Sequence, residues 1–115
     1  MADNCLFCKI IKGEIPSAKV YEDEAVYAFK DISPAAPVHV LVVPKNHIDS
    51  LNGLNEDNLE SVAAVHRGIQ KVAELMGVKE SGYRVIVNCG KEAGQTVFHL
   101  HYHVLGGVPM GEKLI

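Results

Sequence analysis

The chain has 115 residues, 48% of them apolar and 22% charged, with a formal net charge of −3. That length supports a core without disulfide staples, and the composition excludes both disorder and the basic stripe of an electrostatic nucleic-acid binder. The start Met1-Ala2-Asp3-Asn4 has no signal-like apolar stretch, no run is long enough to span a membrane, and three cysteines make no secreted framework. The expectation is a cytoplasmic protein that binds neither nucleic acid nor membrane.

A single domain over residues 1–115 accounts for the pattern, with no linkers, repeats or low-complexity tracts. Leu6 to Ile11 reads as a short helix, ended near Gly13 and Pro16. Lys19 to Glu22 and Ala25 to Lys30 read as strands around the acidic turn Glu22-Asp23-Glu24. Pro34 and Pro37 enforce an irregular loop, and Val38 to Val43 predicts a central strand stopped by Pro44. A long helix is expected from about Glu56 to Met76, with Asn55 as N-cap and Gly77 as the stop. Its apolar face is Leu59, Val62, Val65, Ile69, Val72 and Met76, recurring at three- and four-residue spacing. Tyr83 to Asn88 and His99 to Leu105 supply two more strands, joined by the glycine-bearing loop from Cys89 to Gln95. The fold class is α+β: an antiparallel sheet of about five strands, one long helix on a face, and a short N-terminal helix.

The chemistry is concentrated near the C-terminus. His99, His101 and His103 occupy alternate positions, which on a strand places three imidazoles on one face and Phe98, Leu100, Tyr102 and Val104 on the other. Such a row supplies a nucleophile, proton donors or metal ligands near neutral pH; the bland alternative is a solvent-facing polar row. Gly94 permits close backbone approach, and Thr96 adds a hydroxyl beside the N–H groups of Gln95 to Val97, a combination suited to phosphate. Asp31 either accepts ribose hydroxyls, with Phe29 and Ile32 covering a base, or simply forms an Asx turn before Pro34. Cys5 and Cys8 form a C-x-x-C pair that needs two further ligands to hold zinc, and His47 and His99 are candidates. His39 and His66, taken alone, read as structural or solvent-facing, and Cys89 as a small packed residue.

The segment Gly94-Gln95-Thr96-Val97-Phe98-His99-Leu100-His101-Tyr102-His103-Val104-Leu105-Gly106-Gly107 closely resembles the histidine triad signature. Phe29-Lys30-Asp31-Ile32-Ser33-Pro34 and Val42-Val43-Pro44-Lys45-Asn46-His47-Ile48 match upstream marks of the same histidine triad (HIT) family. The resemblance is closest to the histidine triad nucleotide-binding (Hint) branch. It implies a homodimer that hydrolyses purine nucleoside phosphoramidates, with nucleoside monophosphate derivatives as ligands and no organic cofactor. It implies His101 as nucleophile, His103 on the phosphate oxygens, His39 as support behind the nucleophile, and Thr96 donating towards the leaving group. Asp31 would hold the ribose; Phe7, Ile10, Phe29, Ile32 and Leu41 would wall the base; Asn88, Gly94, Gln95 and Val97 would flank the phosphate. Structural zinc on Cys5, Cys8, His47 and His99 completes the set. Ala63, Ala64 and Ala73 on the long helix are apolar beyond what one sheet face should cover, which suits a two-fold partner. Rival readings are a dinucleoside polyphosphate hydrolase, a nucleotide-binding scaffold with incidental hydrolysis, and a zinc hydrolase with the histidine row as ligands.

Overall fold

The computed structural model describes residues 4–114. Its elements in chain order are α1 (Leu6–Ile11), β1 (Lys19–Glu22), β2 (Val26–Lys30), β3 (Val38–Pro44), α2 (Leu59–Leu75), β4 (Tyr83–Val87) and β5 (Tyr102–Gly106). Five antiparallel strands form one sheet in the order β1-β2-β3-β5-β4. Successive side chains of a strand face opposite ways, so β3 serves two layers. Val40 and Val42 join Val26, Ala28, Tyr102 and Val104 beneath Ala64, Val65, Ile69 and Val72 of α2. Leu41 and Val43 join Tyr27 and Phe29 beneath Phe7 and Ile10 of α1. His39 shares the α1 side with Leu41, because it stands two residues before it.

Both helices begin and end for local reasons. Cys5 caps α1, its Sγ accepting from the Cys8 N–H at 3.4 Å. At the far end of α1 the Gly13 N–H reaches the Ile10 carbonyl and the Glu14 N–H the Lys9 carbonyl. The same pair of bonds recurs after α2, from Gly77 to Glu74 and from Val78 to Ala73. Each requires a left-handed residue, supplied by Gly13 at φ 82° and Gly77 at φ 73°.

The start of α2 differs from expectation. Asn55 does not cap it: Asn55 Oδ1 accepts from the Asp57 N–H, Asn58 Oδ1 accepts from the Asn55 N–H, and the helix opens at Leu59. The two asparagines hold a turn over residues 56–58 in place of a first helical turn. Leu59 is therefore 51% exposed rather than on the buried face, which is formed by Ser61, Ala64, Val65, Gly68, Ile69, Val72 and Ala73. Ala64 and Ala73 lie in this domain's own core and form no spare surface for a partner. Gly68 lets the helix close on the sheet, since a Cβ there would stand 2.9 Å from Val26 Cγ1.

The last strand also differs. β5 begins at Tyr102, so His99 and His101 lie in an irregular bend before it and the three imidazoles do not line one strand face. Phe98 is 52% exposed instead of buried. The bend is held from outside the ladder by the Leu100 N–H, which donates to the Ile48 carbonyl.

Candidate active site and metal centre

The bend sends the three triad histidines to three destinations. His99 is fully buried; its Nε2–H donates to the Pro44 carbonyl at 2.8 Å, which turns Nδ1 toward Cys5 Sγ and Cys8 Sγ, each 3.4 Å away. The His101 Nδ1–H donates to the His99 carbonyl at 2.7 Å. A neutral imidazole with one nitrogen so occupied carries its lone pair on the other, so Nε2 of His101 is a ready nucleophile. His103 Nδ1 accepts from the Nε2–H of His39 at 2.9 Å. The row is therefore not a set of ligands to one metal.

His39 supports His103 and not, as expected, His101. The Ala35 N–H donates to His39 Nδ1 at 3.0 Å, which places the His39 proton on Nε2. That proton satisfies Nδ1 of His103 and leaves His103 with its own N–H on Nε2, a donor for an anion. Burial, the neighbouring His101 and His39 together hold His103 below the usual histidine range, so at neutral pH it stays uncharged. Asp31 Oδ2 lies 3.5 Å from His39 Nε2, while Oδ1 accepts from the Ser33 N–H at 2.8 Å. The Asx turn and the contact to the histidine pair thus coexist on one carboxylate.

Phe7, Ile10, Phe29 and Leu41 form one apolar cluster beside these rings, with Phe7 edge-on to His101 at 5.0 Å between centroids. Ile32 lies outside that buried cluster, 98% exposed and open to a ligand on the loop after β2. Gln95 is occupied elsewhere. Its N–H donates to the Gly90 carbonyl, its Nε2 to the carbonyls of Asp49 and Val97, and its Oε1 accepts from the Gly90 N–H. It is a brace that shapes the loop, with no donor left for phosphate. Gly94 takes φ 92°, a conformation that favours glycine, and Thr96 is exposed at the mouth of a cleft of about 340 Å³ with Asn4, Leu6, Val97 and Phe98. Asn88 is half-buried just past β4.

The four expected metal ligands converge. Two Sγ and two Nδ1 atoms of Cys5, Cys8, His47 and His99 all lie within 4.8 Å of one another. Tetrahedral zinc with bonds of about 2.3 Å to sulfur and 2.0–2.1 Å to nitrogen needs S···N edges of about 3.6 Å; the cluster offers 3.3 and 3.4 Å. Both histidines donate their other N–H to oxygen, His47 to Asp49 Oδ1 at 2.8 Å and His99 to Pro44. This outer shell fixes the tautomer that frees Nδ1 for a metal. Without one, burial and the adjacent Cys5 push the Cys8 thiol up to about 11. Burial likewise pushes His99 down to about 4, with the Pro44 carbonyl opposing it and His47 and His101 adding to it. Asp49 and the Pro44 carbonyl went unnoticed in the sequence. Asp49, two residues past His47, carried a readable signal; a carbonyl carries none.

Residues 12–110 match the HIT domain family. The chain belongs to the histidine triad family. A purine nucleoside phosphoramidase of Escherichia coli K12 is 43% identical over 114 residues, covering 99% of this chain and 96% of that protein. HitA of Neisseria gonorrhoeae is 43% identical over 104 residues, 90% of this chain and 96% of that one. A HIT family hydrolase from Clostridium thermocellum superposes with a TM-score of 0.97 at 58% identity, covering both chains fully. A histidine triad protein from Clostridium difficile gives a TM-score of 0.92 at 50% identity, covering 96% of each. The HIT fold thus extends over the whole described chain, α1 and its two cysteines included.

Proposed function

We propose that this protein is a nucleoside phosphoramidase, hydrolysing the P–N bond of purine nucleoside 5′-monophosphoramidates through a nucleotidyl-histidine. One observation carries the mechanism: the His101 Nδ1–H held by the His99 carbonyl at 2.7 Å, which commits Nε2 to attack. In the first displacement that lone pair forms an N–P bond as the amine leaves with its electron pair and takes up a proton. Thr96, exposed beside the bend, is assigned as the hydroxyl that donates to the departing nitrogen. In the second displacement water replaces His101 on phosphorus and the nucleoside monophosphate departs.

Charge grows on the phosphate oxygens in both steps, and His103 donates to them through Nε2–H, with His39 holding its tautomer. Because His103 is held below the usual histidine range and carries its own Nε2–H, this stabilisation needs no proton from solvent at neutral pH. Phe7, Ile10, Phe29 and Leu41 cover the base, and Asp31 holds the ribose; Asn88, Gly94 and Val97 flank the phosphate. Cys5, Cys8, His47 and His99 hold structural zinc. A metal bound there would cross-link α1 to the residues just past β3 and just before β5, and four protein ligands would leave it no open position for water. The unpaired edge of β4, with Val85 40% and Ile86 36% exposed, is the surface through which a second copy extends the sheet. Sedimentation at micromolar concentration should show twice the chain mass; a stable single-chain species discards the dimer.

The mechanism is tested by quenching the protein during turnover of an adenosine phosphoramidate. A mass gain of one nucleotidyl group on the peptide holding His101, lost in His101→Ala, is expected. Turnover without any covalent adduct in a rapid-quench series points to direct attack by water and ends the double-displacement reading.

A further inference from the structure

The nucleophile's backbone belongs to no ladder. Residues 97–101 bend between the loop and β5, and their bonds run to one stretch of chain, the end of β3 and the residues after it. Leu100 N–H donates to Ile48, the His99 ring to Pro44, and the Gln95 amide that braces Val97 also grips Asp49. His47, a member of the thiol cluster, stands in the same stretch. Phe7 stands between the two cysteines in sequence and packs edge-on against both His101 and His99, at 5.0 and 6.0 Å. His99 alone belongs to both assemblies: its ring lies in the Cys/His cluster and its carbonyl receives the His101 proton.

From this we infer that His99 is a positioning residue through which occupancy of the Cys/His cluster sets how His101 is presented to phosphorus. With a metal bound, Nδ1 of His99 is tied to α1 and to His47, so the carbonyl that orients His101 cannot rotate away and Phe7 stays against the ring. Without one, the His99 ring keeps the Pro44 bond and its contacts to the two thiols and to the Phe7 and His47 rings. The peptide carrying that carbonyl is then anchored only through its Leu100 N–H to Ile48, which leaves it freer to turn, and misplacement of a reacting group by about 1 Å costs on the order of a hundredfold in rate. The cluster would thereby regulate the rate of nucleotidyl transfer without supplying any chemistry to it. This inference rests on the phosphoramidase reading for its kinetic arm only.

The full-length protein, uniformly labelled with ¹⁵N, is compared zinc-loaded and after chelation, with far-UV circular dichroism as a check on the fold. The His101 Nδ1–H resonance, assigned by its absence in His101→Ala, should be protected in the loaded protein and exchange-broadened after chelation. The kcat for an adenosine phosphoramidate should fall about ten- to a hundredfold with KM nearly unchanged, and both should return on adding zinc. His47→Asn, which removes one ligand outside the triad, should reproduce the loss in milder form should chelation unfold the chain. A metal-free protein that keeps the resonance and its kcat within about twofold overturns the inference, as does a protein that binds no zinc. If the zinc-loaded protein turns over no phosphoramidate, the functional reading fails while the resonance still decides the coupling.

Discussion

Two histidine pairs lie on the α1 side of the sheet, and they are wired in opposite senses. His47 and His99 each donate Nε2–H to an oxygen and turn a bare Nδ1 toward thiols. His39 instead accepts a backbone N–H at Nδ1 and spends its own proton on His103. Side-chain atoms of Asp31, His39 and His103 also lie within 4.8 Å of one another, as close as those of the thiol cluster. Proximity is therefore not what makes a metal site. A cation at His39 Nε2 would displace the proton to Nδ1, against the Ala35 N–H, whereas the other pair has lone pairs already exposed. The backbone and carboxylate partners of a histidine decide whether it binds a metal or relays a hydrogen bond.

The largest effect should fall on His101, the triad member whose Nε2 offers a lone pair. His101→Ala should lose turnover by something near the ~10⁶-fold seen for deleted nucleophiles, with nucleoside monophosphate binding retained in calorimetry. Residual turnover within a few per cent of the parent assigns the attack to another group. His103→Ala should cost about 10²–10³-fold in kcat, the scale of a lost oxyanion donor, and His39→Ala less, since His103 then still has an N–H. A larger loss at His39 than at His103 reverses the direction of the relay.

Acid should destabilise the fold through His99. In metal-free protein His99 is held near 4 against an ordinary 6.5, so between these values the unfolded chain binds the extra proton. Stability is then complete above pH 6.5, falls as pH drops toward 4, and loses about 3 kcal/mol over that window. Denaturant melts from pH 7.5 to 4 measure this; a flat profile means His99 is not buried and neutral. The smallest effect is expected at Asp49. Asp49→Ala removes the acceptor that orients His47 and should weaken zinc about 10–100-fold while leaving turnover of the zinc-saturated protein intact. Unaltered zinc affinity in a chelator competition would show that Pro44 and the thiols fix the cluster alone.

Most of the fold was legible because its signals are local. The run Leu6 to Ile11, the strand Lys19 to Glu22 and the glycine after α2 each fell where periodicity and turn chemistry placed them. The thiol cluster was legible from spacing and resemblance together. Errors gathered where a long-range partner overrides a local pattern. Alternation from Val97 to Val104 reads as strand, yet Ile48 and Pro44 pull the first half into a bend. Gln95 reads as a phosphate donor, yet four of its bonds face inward. Asn55 reads as a cap because nothing in the sequence tells that Asn58 competes for the same turn. The tautomers were beyond reach for the same reason, being set by carbonyls and amides that every residue carries.

The pairing of β3 with β5 has a consequence for how the molecule comes into being. His39 and His103 meet across a separation of 64 residues, with α2 and β4 lying between them in the chain. Helix α2 forms from neighbours within microseconds, but a contact of such long range waits on closure of most of the chain. The relay, and the bend anchored beside it, are therefore late products of folding. During refolding from denaturant, catalytic competence should therefore return no faster than this long-range pairing closes, and circular permutation that brings β3 and β5 closer in sequence should speed it.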